Sequence, residues 1–72
     1  MHREPTQAEV DEQIASAIQA KLRHGYSTQA VIIKNQRGKG PYWLGYFFND
    51  GRQVGETHTR PDGSTYEVLA VI

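Results

Sequence analysis

The sequence contains no cysteine among its 72 residues, so neither a disulfide nor a thiolate metal site can hold the fold together. It also lacks any run close to the roughly 18 apolar residues that a membrane-spanning helix needs. Residues 1–13 have no apolar stretch of the kind found in secretion signals. These absences predict a chain that is neither exported nor bound to a membrane, and the cytoplasm is the expected location.

An excess of one charge sign is missing as well, because eight acidic and eight basic residues give a net charge of zero. The signs are nevertheless separated along the chain: four acids lie within the first twelve residues, and seven bases lie between Lys21 and Arg60. An ordinary solvated surface, with acids at a helix start, explains this separation. Attraction of an anionic partner is the alternative.

Catalytic and cofactor motifs are also absent. The histidines His2, His24 and His58 are scattered and lack a second ligand one helical turn away, so no metal site is expected. Glu56 could orient His58 as a general base, but a solvated or interface histidine is the commoner situation. No serine lies in a nucleophile elbow. The sequence therefore predicts a protein that is not an enzyme and that uses no cofactor.

A helix is predicted over residues 6–24, behind a disordered tail at residues 1–5. The segment Thr6–Glu9 has the form of a capping box, in which threonine and glutamate side chains satisfy each other's backbone amides. Gly25 is the expected left-handed stop. Apolar residues recur between these points at steps of three and four, as on one face of a helix. They are Val10, Ile14, Ala17, Ile18 and Leu22.

Strand patterns replace the helical one after Gly25, and an antiparallel sheet is expected over residues 29–72. NDG at residues 49–51 and PDG at residues 61–63 each fit a three-residue hairpin loop that ends in a left-handed glycine. The predicted fold is a single α+β domain, residues 1–72, with one N-terminal helix on one face of a four-stranded antiparallel meander (αββββ). The strands are Ala30–Lys34, Tyr42–Phe48, Gln53–Thr59 and Ser64–Ile72.

The two turns together predict which side chains share a face of the sheet. Counting outward from NDG places Tyr46 opposite Val54, and counting from PDG places His58 opposite Tyr66. We expect the helix on the face that carries Trp43, because the other face would press charged side chains against the apolar helix stripe, at a cost of several kcal/mol. Those charged side chains are Arg52, Glu56 and His58.

The face left uncovered would be more apolar than a small monomer usually exposes to water. The favoured interpretation is a small non-enzymatic interaction or regulatory module that binds a protein partner, or a second copy of itself, through this face. Tyrosine and arginine are frequent anchors of such interfaces. The candidate partner-binding residues are Tyr42, Tyr46, Phe48, Arg52, His58 and Tyr66.

Nucleic-acid binding is the alternative, since the glycine-rich basic loop at residues 35–41 leads directly into aromatic residues. Such a loop could follow a phosphate backbone while sheet tyrosines stack on bases. The loop has neither the aromatic pattern of an RNA-recognition motif nor the spacing of a phosphate-binding Walker loop. The candidate residues are Lys34, Arg37, Lys39, Arg52 and Arg60.

Two further expectations concern geometry alone. Ile14 and Ile18 should be buried by the face of the sheet that carries Trp43, Phe47 and Leu69. Gly51 and Gly63 should have positive φ, because each closes its predicted turn in the left-handed conformation.

Overall fold

The computed structural model describes residues 4–72, and residues 1–3, part of the predicted tail, lie outside the described residues. One helix precedes four strands that pair antiparallel in a single sheet, so the predicted α+β class is confirmed. The sheet order is β2-β1-β4-β3. The elements are α1 (Gln7–His24), β1 (Ala30–Arg37), β2 (Tyr42–Phe48), β3 (Thr57–Thr59) and β4 (Ser64–Val71).

Helix α1 begins and ends where its caps predict. The Glu9 amide donates to the Thr6 hydroxyl at 3.2 Å, and the Thr6 amide donates to the Glu9 carboxylate at 3.1 Å. At the other end Gly25 has φ of 69° and donates its amide to the carbonyl of Lys21 at 2.8 Å. The capping box and the glycine stop are therefore confirmed.

The PDG loop forms the predicted hairpin between β3 and β4. Gly63 has φ of 90°, and the Arg60 amide donates to the Ser64 carbonyl at 2.8 Å. The predicted pairing of His58 with Tyr66 is present. Farther from the turn, Val54 and Arg52 do not pair with the residues predicted to lie opposite them, because the chain turns away from β4 at residues 54–55.

The predicted meander is wrong at the NDG turn. Gly51 has the expected positive φ, 85°, but the turn opens into a crossover, residues 49–56, that carries the chain to the far edge of the sheet. The turn is tied to the start of β1, since the Asn49 amide donates to the Gln29 carbonyl at 2.9 Å and the Gln29 amide donates to Asp50 at 3.0 Å. β2 consequently pairs with β1 and is not hydrogen-bonded to β3 in the sheet.

The helix covers the opposite face from the one expected. Ala17 packs in a buried cluster with Ala30 and Ile32 of β1, and Tyr46 and Phe48 pack against that cluster. The assignment of the helix to the Trp43 side is wrong because it assumed that NDG made β2 and β3 neighbours. With β1 beside β2, the side chains next to Tyr46 are apolar and accept the helix.

The predicted burial of Ile18 is also wrong, because α1 packs on the sheet through Val10, Ile14 and Ala17. Ile14 packs at the margin of the Ala17 cluster, whereas Ile18 is 43% exposed. Trp43 lies on the other face of the sheet, on the edge strand β2.

Candidate interaction surface

The face of the sheet that α1 does not cover is called here the open face. Side chains alternate along each strand, and a register shift between β1 and β4 at Ile32 and Ile33 brings both Val68 and Val71 to this face. Its floor is a second buried apolar cluster of Val31, Ile33 and Val68, with Phe47, Tyr66 and Val71 packed at its margin. Across the sheet it comprises Val31, Ile33, Asn35, Trp43, Gly45, Phe47, His58, Tyr66, Val68 and Val71.

Aromatic rings cover this floor. The rings of Phe47 and Tyr66 meet edge to face, with centroids 5.8 Å apart and planes at 81°. This is one of the favoured arrangements for aromatic pairs, because the positive edge of one ring approaches the negative face of the other. The pair links β2 to β4 across β1, and it fixes the middle of the open face.

Two arginines lie on these rings. The guanidinium of Arg52, delivered by the crossover, is 5.7 Å from the centre of the Phe47 ring, and that of Arg60 is 4.8 Å from the centre of the Tyr66 ring. His58 stacks on Tyr66 as well, at 5.0 Å between centroids. These cation–π and stacking contacts hold polar groups flat against an aromatic surface.

One carboxylate neutralises part of the positive charge that the arginines bring to the open face. Glu56 lies 2.7 Å from the Nε2 atom of His58 and 3.8 Å from the guanidinium of Arg52, and it also accepts a hydrogen bond from the Gln53 amide. The hydrogen bond to His58, then the one from Gln53, lowers the pKa of Glu56. Arg52 also lies 3.1 Å from the same Nε2 atom. A ring nitrogen carries either a proton or a lone pair, so it serves only one of these two partners at a time.

A second carboxylate sits at the rim of the open face. Asp62 accepts from the hydroxyl and the amide of Ser64 at 2.7 and 2.9 Å, and it pairs with Arg37 at 3.2 Å. The bonds from Ser64, followed by the charge of Arg37, lower the pKa of Asp62. The ion pair is well exposed, so its contribution to stability is small.

Trp43 is the most exposed ring of the open face, with 50% of its surface accessible. Gly45 separates it from Phe47 along β2, and a β-carbon placed on Gly45 would meet only the side-chain amide of Asn35, at 3.7 Å. No side chain therefore stands between the two rings on this face of β2.

The predicted partner-binding residues do not share one face. Arg52, His58 and Tyr66 lie together on the open face. The other three are on the helix side, where Tyr46 and Phe48 pack against the Ala17 cluster and the Tyr42 hydroxyl donates to Glu9 at 3.0 Å. The prediction that all six form one uncovered surface is wrong, again because NDG is not a β2–β3 hairpin.

The predicted nucleic-acid-binding residues are also divided. Lys34 is buried on the helix side, where it pairs with Glu4 at 3.3 Å and lies 5.6 Å from the centre of the Tyr42 ring. Lys39 is exposed in the loop between β1 and β2. The remaining three belong to the open face or its rim: Arg37, Arg52 and Arg60.

Trp43 is the residue that sequence reasoning missed, since it was assigned to the core beneath the helix. A usable signal lay in β1, where four consecutive apolar residues, 30–33, are typical of a strand covered on both faces. Such a strand belongs in the middle of a sheet. Placing it there puts Trp43 on the face away from Ala30 and Ile32, and hence away from the helix.

A cleft of about 640 Å³ lies on the other side of β2, between α1 and the β1–β2 loop. Its chemical groups are carboxylates of the first helical turns, Lys39 and the edge of β2. Glu9, one of its carboxylates, is engaged in the capping box and by the Tyr42 hydroxyl. It is lined by Glu9, Glu12, Gln13, Gln36, Lys39, Gly40, Pro41, Tyr42, Trp43 and Leu44.

The fold and this surface define a small α+β domain with one open, aromatic and arginine-bearing sheet face. Comparison of the chain with models of protein families, with curated proteins and with solved structures found no match. Within residues 4–72, no helix is long and apolar enough to cross a membrane. Over the same residues, no three histidine or acidic side chains are grouped so as to hold a metal ion.

Proposed function

We propose that this protein is a non-enzymatic interaction module that binds a protein partner through the open face. The observation that carries the proposal is the half-exposed Trp43 next to the Phe47–Tyr66 pair, with Arg52 and Arg60 lying on those rings. Tryptophan, tyrosine and arginine are the residue types that dominate the binding energy of protein interfaces. Here they occur side by side on one face.

The distribution of charge supports a protein partner. The floor of the open face is apolar and aromatic, and two of its arginines are paired with carboxylates, Arg52 with Glu56 and, at the rim, Arg37 with Asp62. A hydrophobic centre within a polar rim is the usual anatomy of a protein–protein interface.

Single-stranded nucleic acid is the second candidate. The observation in its favour is that Trp43 and Tyr66 share a face with three arginines, since stacking rings and cations together bind single strands. Two of those arginines already face carboxylates, and Lys34 is on the other side of the sheet. The proposal therefore gives priority to a protein.

The test compares affinity capture by the parent protein with capture by two variants. Trp43→Ala removes the exposed indole of the open face, and Leu22→Ala is the matched control, because Leu22 is 75% exposed on the helix. Both variants should keep the circular dichroism spectrum of the parent. We expect a protein that is retained by the parent and by Leu22→Ala and is lost with Trp43→Ala.

Binding measurements with the isolated partner then give the size of the loss in affinity. Removal of an interface anchor typically costs about 2 kcal/mol or more, which is roughly a 30-fold rise in Kd. Nuclease treatment and a salt titration separate the two candidates, because binding to phosphates weakens steeply as salt rises. Equal capture by Trp43→Ala and the parent would contradict the proposal, and capture that nuclease abolishes would favour nucleic acid.

A further inference from the structure

Strand β2 forms one edge of the sheet, and within residues 4–72 no strand pairs with its outer side. The strand, YWLGYFF, has seven residues with no charge and no proline. Its register with β1 runs without a bulge from Ala30↔Phe48 to Gln36↔Tyr42. Proteins usually protect an edge from pairing with other chains by charges, proline, bulges or short strands. Within Tyr42–Phe48 β2 has none of these, and a proline, Pro41, lies just before its first residue.

The opposite edge of the sheet shows such protection. β3 has only three residues, Thr57–Thr59, and all are polar. It is followed at once by Arg60 and by Pro61, which cannot donate a backbone hydrogen bond. The contrast between the two edges indicates that β2 is the edge available for pairing.

The backbone of β2 directs four residues outward. Ala30 exchanges both of its hydrogen bonds with Ile72, at 2.8 and 2.9 Å, so its backbone groups point toward β4 and away from β2. Phe48, which lies opposite Ala30, therefore has its own N–H and C=O on the free side of β2. This alternation repeats every second residue of an antiparallel pair. The outward-directed residues are Tyr42, Leu44, Tyr46 and Phe48.

We propose that β2 pairs antiparallel with β2 of a second copy of this chain, with the two-fold axis at Gly45. In this register Tyr42 lies opposite Phe48 of the second copy, and Leu44 lies opposite Tyr46. All four outward-directed residues of each chain then form hydrogen-bonded pairs, which together exchange about eight hydrogen bonds. A shift of two residues in either direction would leave outward groups without a strand partner.

Glycine suits the position on the axis. Residues at a non-hydrogen-bonded pair approach to about 4.5 Å between Cα atoms, and the two copies of Gly45 would face each other there. The same register places Trp43 across from Phe47 of the second copy, an aromatic cross-strand pair that would cover part of the exposed indole.

The helices leave room for this arrangement. Ala17 packs on Ala30 and Ile32 of β1, and Tyr46 and Phe48 of β2 pack against the same cluster, so α1 lies over β1 and β2. The two copies of α1 would then be between two and three strand spacings apart. That separation is about 10–14 Å, no closer than the 8–10 Å or so of helices in contact. A second copy therefore fits without a clash between helices and joins the two sheets into one.

The first test is the oligomeric state of the parent and of two variants at one position, measured by size-exclusion chromatography with light scattering. Leu44→Pro removes an outward N–H that no strand of the protomer uses, and an edge position tolerates proline. Leu44→Ala is the matched control, because it removes the side chain and keeps the N–H. We expect a dimer for the parent and for Leu44→Ala. For Leu44→Pro we expect a dissociation constant raised by about 30-fold or more, since each copy loses one inter-chain hydrogen bond.

A second test reports the register without a proline. The chain has no cysteine, so Gly45→Cys introduces a single thiol at the proposed axis. Oxidised glutathione should convert it rapidly into a disulfide-linked dimer, because the expected Cα separation lies in the range that disulfides span. Thr59→Cys, on the opposite edge, is the control and should crosslink much more slowly.

A parent that stays monomeric at high concentration would overturn the proposal, and so would equal crosslinking of the two cysteine variants. Pairing at β2 and partner binding by the open face can fail separately. A monomeric Leu44→Pro protein retains Trp43, so its capture of the partner tests the proposed function alone.

Discussion

The placement of the helix can be tested by making one substitution at two sites. Ile32→Ala removes a side chain that is fully buried between α1 and the sheet, whereas Ile18→Ala removes one that is 43% exposed on the helix. Both variants lose the same atoms and keep the backbone unchanged. A difference in stability between them therefore reports where the core lies.

The expected magnitudes follow from burial. A buried Ile→Ala change costs about 2–5 kcal/mol, because it loses apolar burial and leaves a cavity. At position 18 nearly half of the side chain is already in water, so the cost should be about 1 kcal/mol or less. A 72-residue domain has a total stability of only about 4–11 kcal/mol, so Ile32→Ala should remove a large part of it.

Thermal unfolding followed by circular dichroism is the assay. For a domain of this size about 1 kcal/mol corresponds to a change in Tm of roughly 4–8 °C, so Ile32→Ala should melt at least 8 °C or so below the parent. All three proteins must be compared at one concentration, because self-association makes Tm depend on concentration. If Ile18→Ala were destabilised as much as Ile32→Ala, the helix would lie on a different face from the one described.

Two further predictions concern the PDG turn and the Glu56 carboxylate. Gly63→Ala should lower the free energy of unfolding, measured in urea, by about 1 kcal/mol, because φ of Gly63 is 90°. Gly45→Ala is the control, because φ of Gly45 is not positive and this strain should not arise there. Equal losses of stability in the two variants would contradict the turn geometry. Since the pKa of Glu56 is lowered in the folded state, its stabilising contribution is present above the ordinary glutamate pKa and is lost as pH falls through the folded value. Glu56→Gln should therefore flatten the acid side of the stability profile, and a profile that stays as steep as that of the parent would contradict this role of Glu56.

Features of the fold that depend on neighbouring residues could be predicted from the sequence. The capping box, the glycine stop and the PDG hairpin each arise from contacts within about five positions of the chain. The residue types at those positions determine the backbone conformation almost alone. The helix bounds and the β3–β4 register were therefore predictable.

The NDG turn shows where local reasoning fails. Its conformation was predicted correctly, since Gly51 has positive φ, but the strands on either side of it do not pair. Two contacts with Gln29, about twenty positions earlier, decide which strands the turn connects. The Asn49 backbone and the Asp50 side chain each bind the backbone of Gln29. No pattern within the turn encodes that contact, and every face assignment counted from NDG failed with it.

The apolar run at the start of β1 accounts for the position of the open face. Ala30 and Ile32 point to one face and Val31 and Ile33 to the other, so both faces of this strand must be covered. A meander would have left β1 at an edge, whereas the observed order places it between β2 and β4. One helix covers only one face. The other is covered by rings and by the crossover, and this cover leaves Trp43 half exposed.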